Sequence, residues 1–341
     1  MLIHIQILRF LAATAVVAFH ARGVAPKYIR VPDGTWSFGL EHAGHGVDLF
    51  FVISGFIIFY ATHRTALSPA AFLRRRIERI VPLYYVVTFA VVALALAWPA
   101  TFYTPDWLTP RHIAKSLAFI SFTDGEMPVV YLGWSLEYEM YFYLAVALLM
   151  AFSRDAWRNI VVIFCALVVV GKLPGVNAAL GNYVFFTDPM VLEFILGVVI
   201  GKWFACGRAG SIELAATACA FVALVIAEPD SRAIIYGLPS ALLVAGAAWI
   251  SRARPNPSSA ERWLERLGDA SYSIYLAQVN TVSLVCQYTA QAFPESAPMA
   301  LVGMTTVISV ALGVLLNILV ERPLLKLARR LRAPRTQDAP A

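Results

Sequence analysis

"LRFLAATAVVAFHAR", Leu8–Arg22, places ten residues between Arg9 and His20, and nine of them are Leu, Ala, Val or Phe. It is the first of many such runs. The chain of 341 residues is 60% hydrophobic and 14% charged, with mean hydropathy +0.70. A soluble domain is nearer half apolar and a quarter charged. The composition therefore reads as a polytopic membrane protein built from runs of about 20 residues. Arg9 interrupts what would be the apolar core of a signal peptide and no clear small-residue cleavage site follows, so the stretch reads as a retained first helix.

Working outward from it, charged or Pro/Gly-rich breaks delimit ten runs: 5–22, 46–62, 80–98, 130–152, 157–173, 188–205, 211–227, 233–251, 268–290 and 299–320. No alternating strand pattern is visible, and backbone groups in lipid must bond within their own segment. The expectation is an all-α, polytopic transmembrane helix bundle of about ten spans, without internal repeats. On one side the breaks and tail carry nineteen of the 27 Lys and Arg, and on the other side seven, from Arg22 to Arg232. The positive-inside rule then sets both termini in the cytoplasm. Residues 1–325 read as one transmembrane domain and 326–341 as a basic cytoplasmic tail, with disorder expected at its end. The outer segment 99–129 suggests a short interfacial helix near 110–122. This placement of charge explains the basic pI of 9.2 without nucleic acid. The four cysteines are isolated, at no metal-ligand spacing, so no metal is expected.

Polar residues inside apolar runs are the candidates for chemistry. Eleven helical steps bring Arg9 and His20 to within about 20° of one face, about 16 Å apart. They are either two ends snorkelling to the interfaces or one stripe, with Arg9 for an anion and His20 for proton transfer. In "HGVDLFFVISGFIIFY" (45–60), Asp48 opens a span, and Ser54-Gly55 serves either helix packing or a pocket. In "FLRRRIERIVPLYY" (72–85), Arg76 and Arg79 share a face as a topology anchor or a phosphate clamp. In "YLGWSLEYEMYFYL" (131–144), Glu137 and Glu139 stand about 200° apart and cannot enter one pocket together. "LGDASYSIYLAQVN" (267–280) adds Gln278, and "LVERPLLKLARRLR" (319–332) closes the series with a basic helix end. Glu193 is a further acid without an obvious partner.

In this order the six stretches resemble the acyltransferase-3 family of membrane O-acyltransferases, and the "WSLEYEMYFYL" form resembles its exopolysaccharide-modifying branch. The resemblance implies about ten helices in a bacterial inner membrane. It also implies transfer of an acyl group, most often acetyl, from acyl-CoA as co-substrate to a carbohydrate hydroxyl, with no tightly bound cofactor. By position, His20 matches the catalytic histidine, Arg9 its paired arginine, Arg76 and Arg79 the donor-handling Arg-x-x-Arg, and Glu139 the acid after Trp-Ser-Leu. The chain departs from many members at Gln278, where they carry His, and at Met140, where they carry another acid.

The expected mechanism has acyl-CoA entering past Arg9, Arg76 and Arg79, with His20 as general base or acyl carrier and Glu139 or Asp48 orienting it. Ser54, Trp134, Ser135 and Gln278 are pocket candidates. The acceptor is expected to be a surface glycan, lipid-linked or nascent. A transporter or flippase using the same polar stripe is the alternative from another class.

Overall fold

The structure, a computed structural model, describes residues 2–65, 67–97, 108–294 and 296–332. The elements among them are helical. They are α1 (Ile3–Val24), α2 (Gly46–Arg64), α3 (Pro69–Ala97), α4 (Pro110–Leu117), α5 (Gly133–Phe152), α6 (Ala156–Gly171), α7 (Val191–Cys206), α8 (Ser211–Ala227), α9 (Leu238–Ala253), α10 (Ser259–Asp269), α11 (Ser271–Ala292), α12 (Pro298–Leu316) and α13 (Arg322–Arg332). Short helical turns join them. Each of the ten apolar runs has become a long helix. Seven segments are long and apolar enough to cross a bilayer, α6 and α8 are shorter apolar helices, and the tenth, α11, is more polar. The chain is thus an all-helical, multi-pass membrane protein. In the region where a short helix was expected, near 110–122, stands α4, capped by Thr109, whose hydroxyl accepts the His112 amide. The outer residues 98–107 and the tail residues 333–341, where disorder was expected, lie outside the described residues. The start of that tail continues α13 as helix to Arg332.

One element is longer than the apolar pattern suggests. Residues 69–79 join the span begun at 80, so that α3 runs unbroken through Pro82. Pro82 frees the Glu78 carbonyl one turn earlier, and two residues before the proline the Tyr272 hydroxyl donates to the Ile80 carbonyl at 2.8 Å, tying α3 to α11. The charged segment is therefore an extension of the span, with Arg74 and Arg75 exposed and Arg76 and Arg79 half-buried. The RRR triplet splits because successive residues turn by about 100°.

α2 and α7 pack backbone against backbone. A methyl group at Gly55 would overlap the Phe194 carbonyl oxygen, and one at Gly197 would overlap that of Val52. α1 runs between this pair and the α11–α12 pair. At one end, His4 bonds Ser251 and Glu261, so the start of α1 meets the α9–α10 connection. At the other end, Phe19 packs under Gly44, beside the start of α2. These contacts define two ends of the bundle, the Arg9 end and the His20 end.

Candidate active site

A cavity with about 850 Å3 of empty space opens between α1, α2, α3, α5 and α11. Three cations face it: Arg9 from α1, and Arg76 and Arg79 from α3. Among the described residues none of the three has a carboxylate at ion-pair distance. Arg9 donates instead to the Gln6 side chain at 3.0 Å, and Gln6 donates to Asp269 at 3.1 Å. The Arg76 guanidinium lies over the rings of Phe72 and Tyr143, 5.6 and 5.7 Å from their centroids. Cations unpaired in such a setting are costly unless an anion meets them.

The facing wall is acidic and hydroxylic. Glu139 accepts from Ser54 Oγ at 2.8 Å and from the Tyr143 hydroxyl. Glu137, two residues away, points elsewhere and accepts the Ser121 amide at 2.7 Å. Only one of the two acids enters the cavity, as their angular separation requires. Ser135 and Tyr275 close the wall with a 2.9 Å bond between their hydroxyls. The Gly55 beside Ser54 serves packing while Ser54 serves the cavity, so both readings of that dipeptide hold, one for each residue.

The other expected residues fall into different surroundings. His20 lies beyond the cavity lining, half-buried at the opposite end of α1, edge-on to Phe19 and Tyr131 with centroids 5.4 and 6.1 Å away. Neither acid expected to orient it is in contact with it. Glu139 is taken up as described, and fully buried Asp48 accepts Arg232 Nε and Nη2, each at 2.7 Å, with His45 Nδ1 at 3.3 Å. Buried Glu193 packs near this cluster against Gly237. Trp134 carries the Arg232 guanidinium over its ring at 5.4 Å, outside the cavity lining. Gln278 is 3% exposed, does not line this cavity, and its amide has no partner among the described residues. Among the described residues no three His, Cys, Asp or Glu side chains form a metal-holding group.

The stretches that stand apart in the sequence are stitched together here. Ser54–Glu139 joins the second stretch to the fourth, and Ser135–Tyr275 the fourth to the fifth. Tyr272–Ile80 joins the fifth to the third, and Ser273 donates to Glu321 of the sixth at 2.6 Å. A family model described as "Acyltransferase domain" matches residues 2–318, which hold all of these contacts but the last, since Glu321 lies just past the match. The chain belongs to the acyltransferase-3 family. It is an acyltransferase of that family, and the residues that line the cavity lie inside the matched region. The exopolysaccharide production protein ExoZ of Rhizobium meliloti (strain 1021) is 33% identical over 315 residues, 86% of this chain and 95% of that protein. The acyltransferase MdmB of Streptomyces mycarofaciens is 28% identical over 375 residues, 98% of this chain and 94% of the relative. The O-acetyltransferase OatA of Staphylococcus aureus (strain NCTC 8325 / PS 47) is 26% identical over 216 residues, 52% of this chain and 35% of that longer protein. No solved structure matches the chain.

Three residues of the cavity lining, and Arg232 outside it, escaped the reading of the sequence. Tyr143 carried a signal, since it stands four residues after Glu139 on the same helix face. Tyr272, Tyr275 and Arg232 carried none, because their partners are distant in the chain.

Proposed function

We propose that this acyltransferase moves an acyl group, most often acetyl, from acyl-CoA to a sugar hydroxyl of an exopolysaccharide or related surface glycan, from within a bacterial inner membrane crossed ten times with both termini in the cytoplasm. The observation that carries the donor assignment is the set of three cavity arginines without carboxylate partners. Phosphates are the anions such a set favours, and Arg matches their geometry. The Lys/Arg asymmetry supports placing the Arg9 end on the cytoplasmic side, where coenzyme A thioesters are made. The printed names of ExoZ and of the O-acetyltransferase OatA support a glycan acceptor and an acetyl donor.

In this scheme Arg76, Arg79 and Arg9 hold the donor's phosphates and the thioester arm runs along α1 toward His20, about 16 Å further on. His20 takes the proton from an acceptor hydroxyl as its oxygen attacks the thioester carbonyl. The C–O bond forms, the C–S bond breaks, and the departing coenzyme A thiolate receives the proton in return. In a covalent route the His20 imidazole itself attacks the thioester carbonyl, C–N forming as C–S breaks, and the acceptor oxygen then attacks the acyl-imidazole, C–O forming as C–N breaks and the hydroxyl proton passing to the thiolate. Glu139, held by Ser54 and Tyr143, orients the donor side of the cavity rather than His20.

Protein purified into lipid nanodiscs, given radiolabelled acetyl-CoA and glycan acceptors, tests the reading without any membrane gradient. Label should move to the glycan in wild type and remain on acetyl-CoA in His20→Ala. Full transfer by the variant overturns the role of His20, and a wild type that does not bind acetyl-CoA overturns the donor assignment.

A further inference from the structure

A second cavity, with about 690 Å3 of empty space, opens at the His20 end between the α6–α7 connection and the start of the helix leading into α9. Arg232 forms its boundary with the bundle. That residue is held by Asp48 in the first turn of α2 and by the ring of Trp134, three residues from the Tyr131 that faces His20. Phe51, on the wall of the donor cavity, packs edge-on to the same Trp134, with centroids 6.2 Å apart. The second cavity thus meets the wall of the donor cavity through one tryptophan, and that tryptophan's helix begins beside the Tyr131 that faces His20.

Its lining is polar, and its two cations are already paired. Lys172 is paired with Glu228, and Arg232 with Asp48. Asp188 accepts from the Tyr138 hydroxyl at 2.9 Å and the Met190 amide at 2.8 Å. What remains uncommitted is hydroxyl and amide chemistry: Asn177, the spare lone pairs of Asp188, and Ser231. Ser231 lines the cavity, is 3% exposed, and its hydroxyl has no partner. A buried hydroxyl left unpaired costs free energy that a hydrogen-bonding ligand removes. A lining whose cations are already paired and whose open groups include a carboxylate disfavours an anionic ligand and suits a neutral polyol.

We propose that this cavity is the acceptor subsite and that it takes a neutral, hydroxyl-rich sugar unit, hydrogen-bonded by Ser231, Asn177 and Asp188. The proposal rests on the reading of the chain as a glycan acyltransferase, and its test separates the two. Nanodisc-embedded protein is titrated by saturation-transfer NMR with neutral cello-, malto- and galacto-tetraose and with a glucuronate-containing tetrasaccharide. Acetyl-CoA binding is measured on the same samples. The expected result is that wild type binds at least one neutral tetrasaccharide in preference to the charged one. Ser231→Trp, which fills the cavity, and Asn177→Ala, an exposed change that leaves packing intact, should each weaken that binding at least tenfold with acetyl-CoA binding unchanged. Absence of neutral-glycan binding in wild type, preference for the uronate, or unchanged binding in both variants overturns the subsite. If the glycan binds as described but acetyl-CoA does not, the donor reading fails while the subsite stands.

Discussion

Arg232 holds Asp48 through two parallel bonds, Nε to Oδ1 and Nη2 to Oδ2, each 2.7 Å long, across 184 positions of sequence. The carboxylate is fully buried while the guanidinium side chain is 31% exposed. Removing one partner of such a pair strands the other. Arg232→Gln should destabilise the protein by about 3 kcal/mol, the lower end of the usual range because the arginine reaches solvent. Arg232→Lys should recover only part of this, since an ammonium cannot make the two-pronged contact. Thermal unfolding of detergent-solubilised variants measures both.

Arg76 and Arg79 should govern donor affinity more than the chemical step. Arg76→Lys and Arg79→Lys keep the charge and lose the planar fork. Each should raise the KM for acyl-CoA about tenfold, the worth of one charged hydrogen bond of about 1.5 kcal/mol. The rate at saturating donor should change far less. Initial-rate measurements over a range of acyl-CoA concentrations separate the two parameters.

What the sequence made legible follows from periodicity. Ten apolar runs became ten helices, the angular spacing separated Glu137 from Glu139, and the i, i+3 spacing brought Arg76 and Arg79 to one cavity. Helical geometry also set Arg9 and His20 on one face, yet only Arg9 reaches the cavity, because a shared azimuth says nothing of axial reach along about 16 Å. Periodicity reports neighbours on one helix. It is blind to Arg232–Asp48, to Ser135–Tyr275, and to the Ser273–Glu321 contact that ties the fifth stretch to the last, since those depend on how helices pack.

The capping box at the start of α10 should make stability depend on acid. The Glu261 side chain accepts the Ser258 amide at 2.6 Å and meets His4 at 3.1 Å. These bonds, with the Ser258 backbone first, hold its carboxyl below the usual carboxylate range. A group depressed in the folded state contributes fully above its unfolded pKa, about 4.3, and loses that contribution as pH falls through its lower folded value. The gap in thermal midpoint between wild type and Glu261→Gln should therefore be largest near neutrality and shrink below pH 4.

The α2–α7 contact leaves no room for a side chain at either glycine. Gly55→Ala or Gly197→Ala must push the helices apart, at about 1–3 kcal/mol for overpacking. Because α2 carries both Asp48 and Ser54, the displacement should also reach the site. Lower thermal midpoints together with reduced acyl transfer are expected. Gly246→Ala, where nothing lies within 4 Å of the added methyl, is the control that should show neither.

Gln278 makes the opposite prediction. Its amide is buried at 3% exposure with neither the oxygen nor the nitrogen bonded, and it lines neither cavity. A buried amide without partners costs about 1–3 kcal/mol, which an apolar side chain of similar volume does not incur. Gln278→Leu should therefore raise the thermal midpoint and leave acyl transfer at the wild-type rate. A drop in transfer with stability intact would instead mean that Gln278 meets a substrate in the working enzyme, as expected of a pocket residue. Parallel melting and transfer assays on this one variant decide between the two.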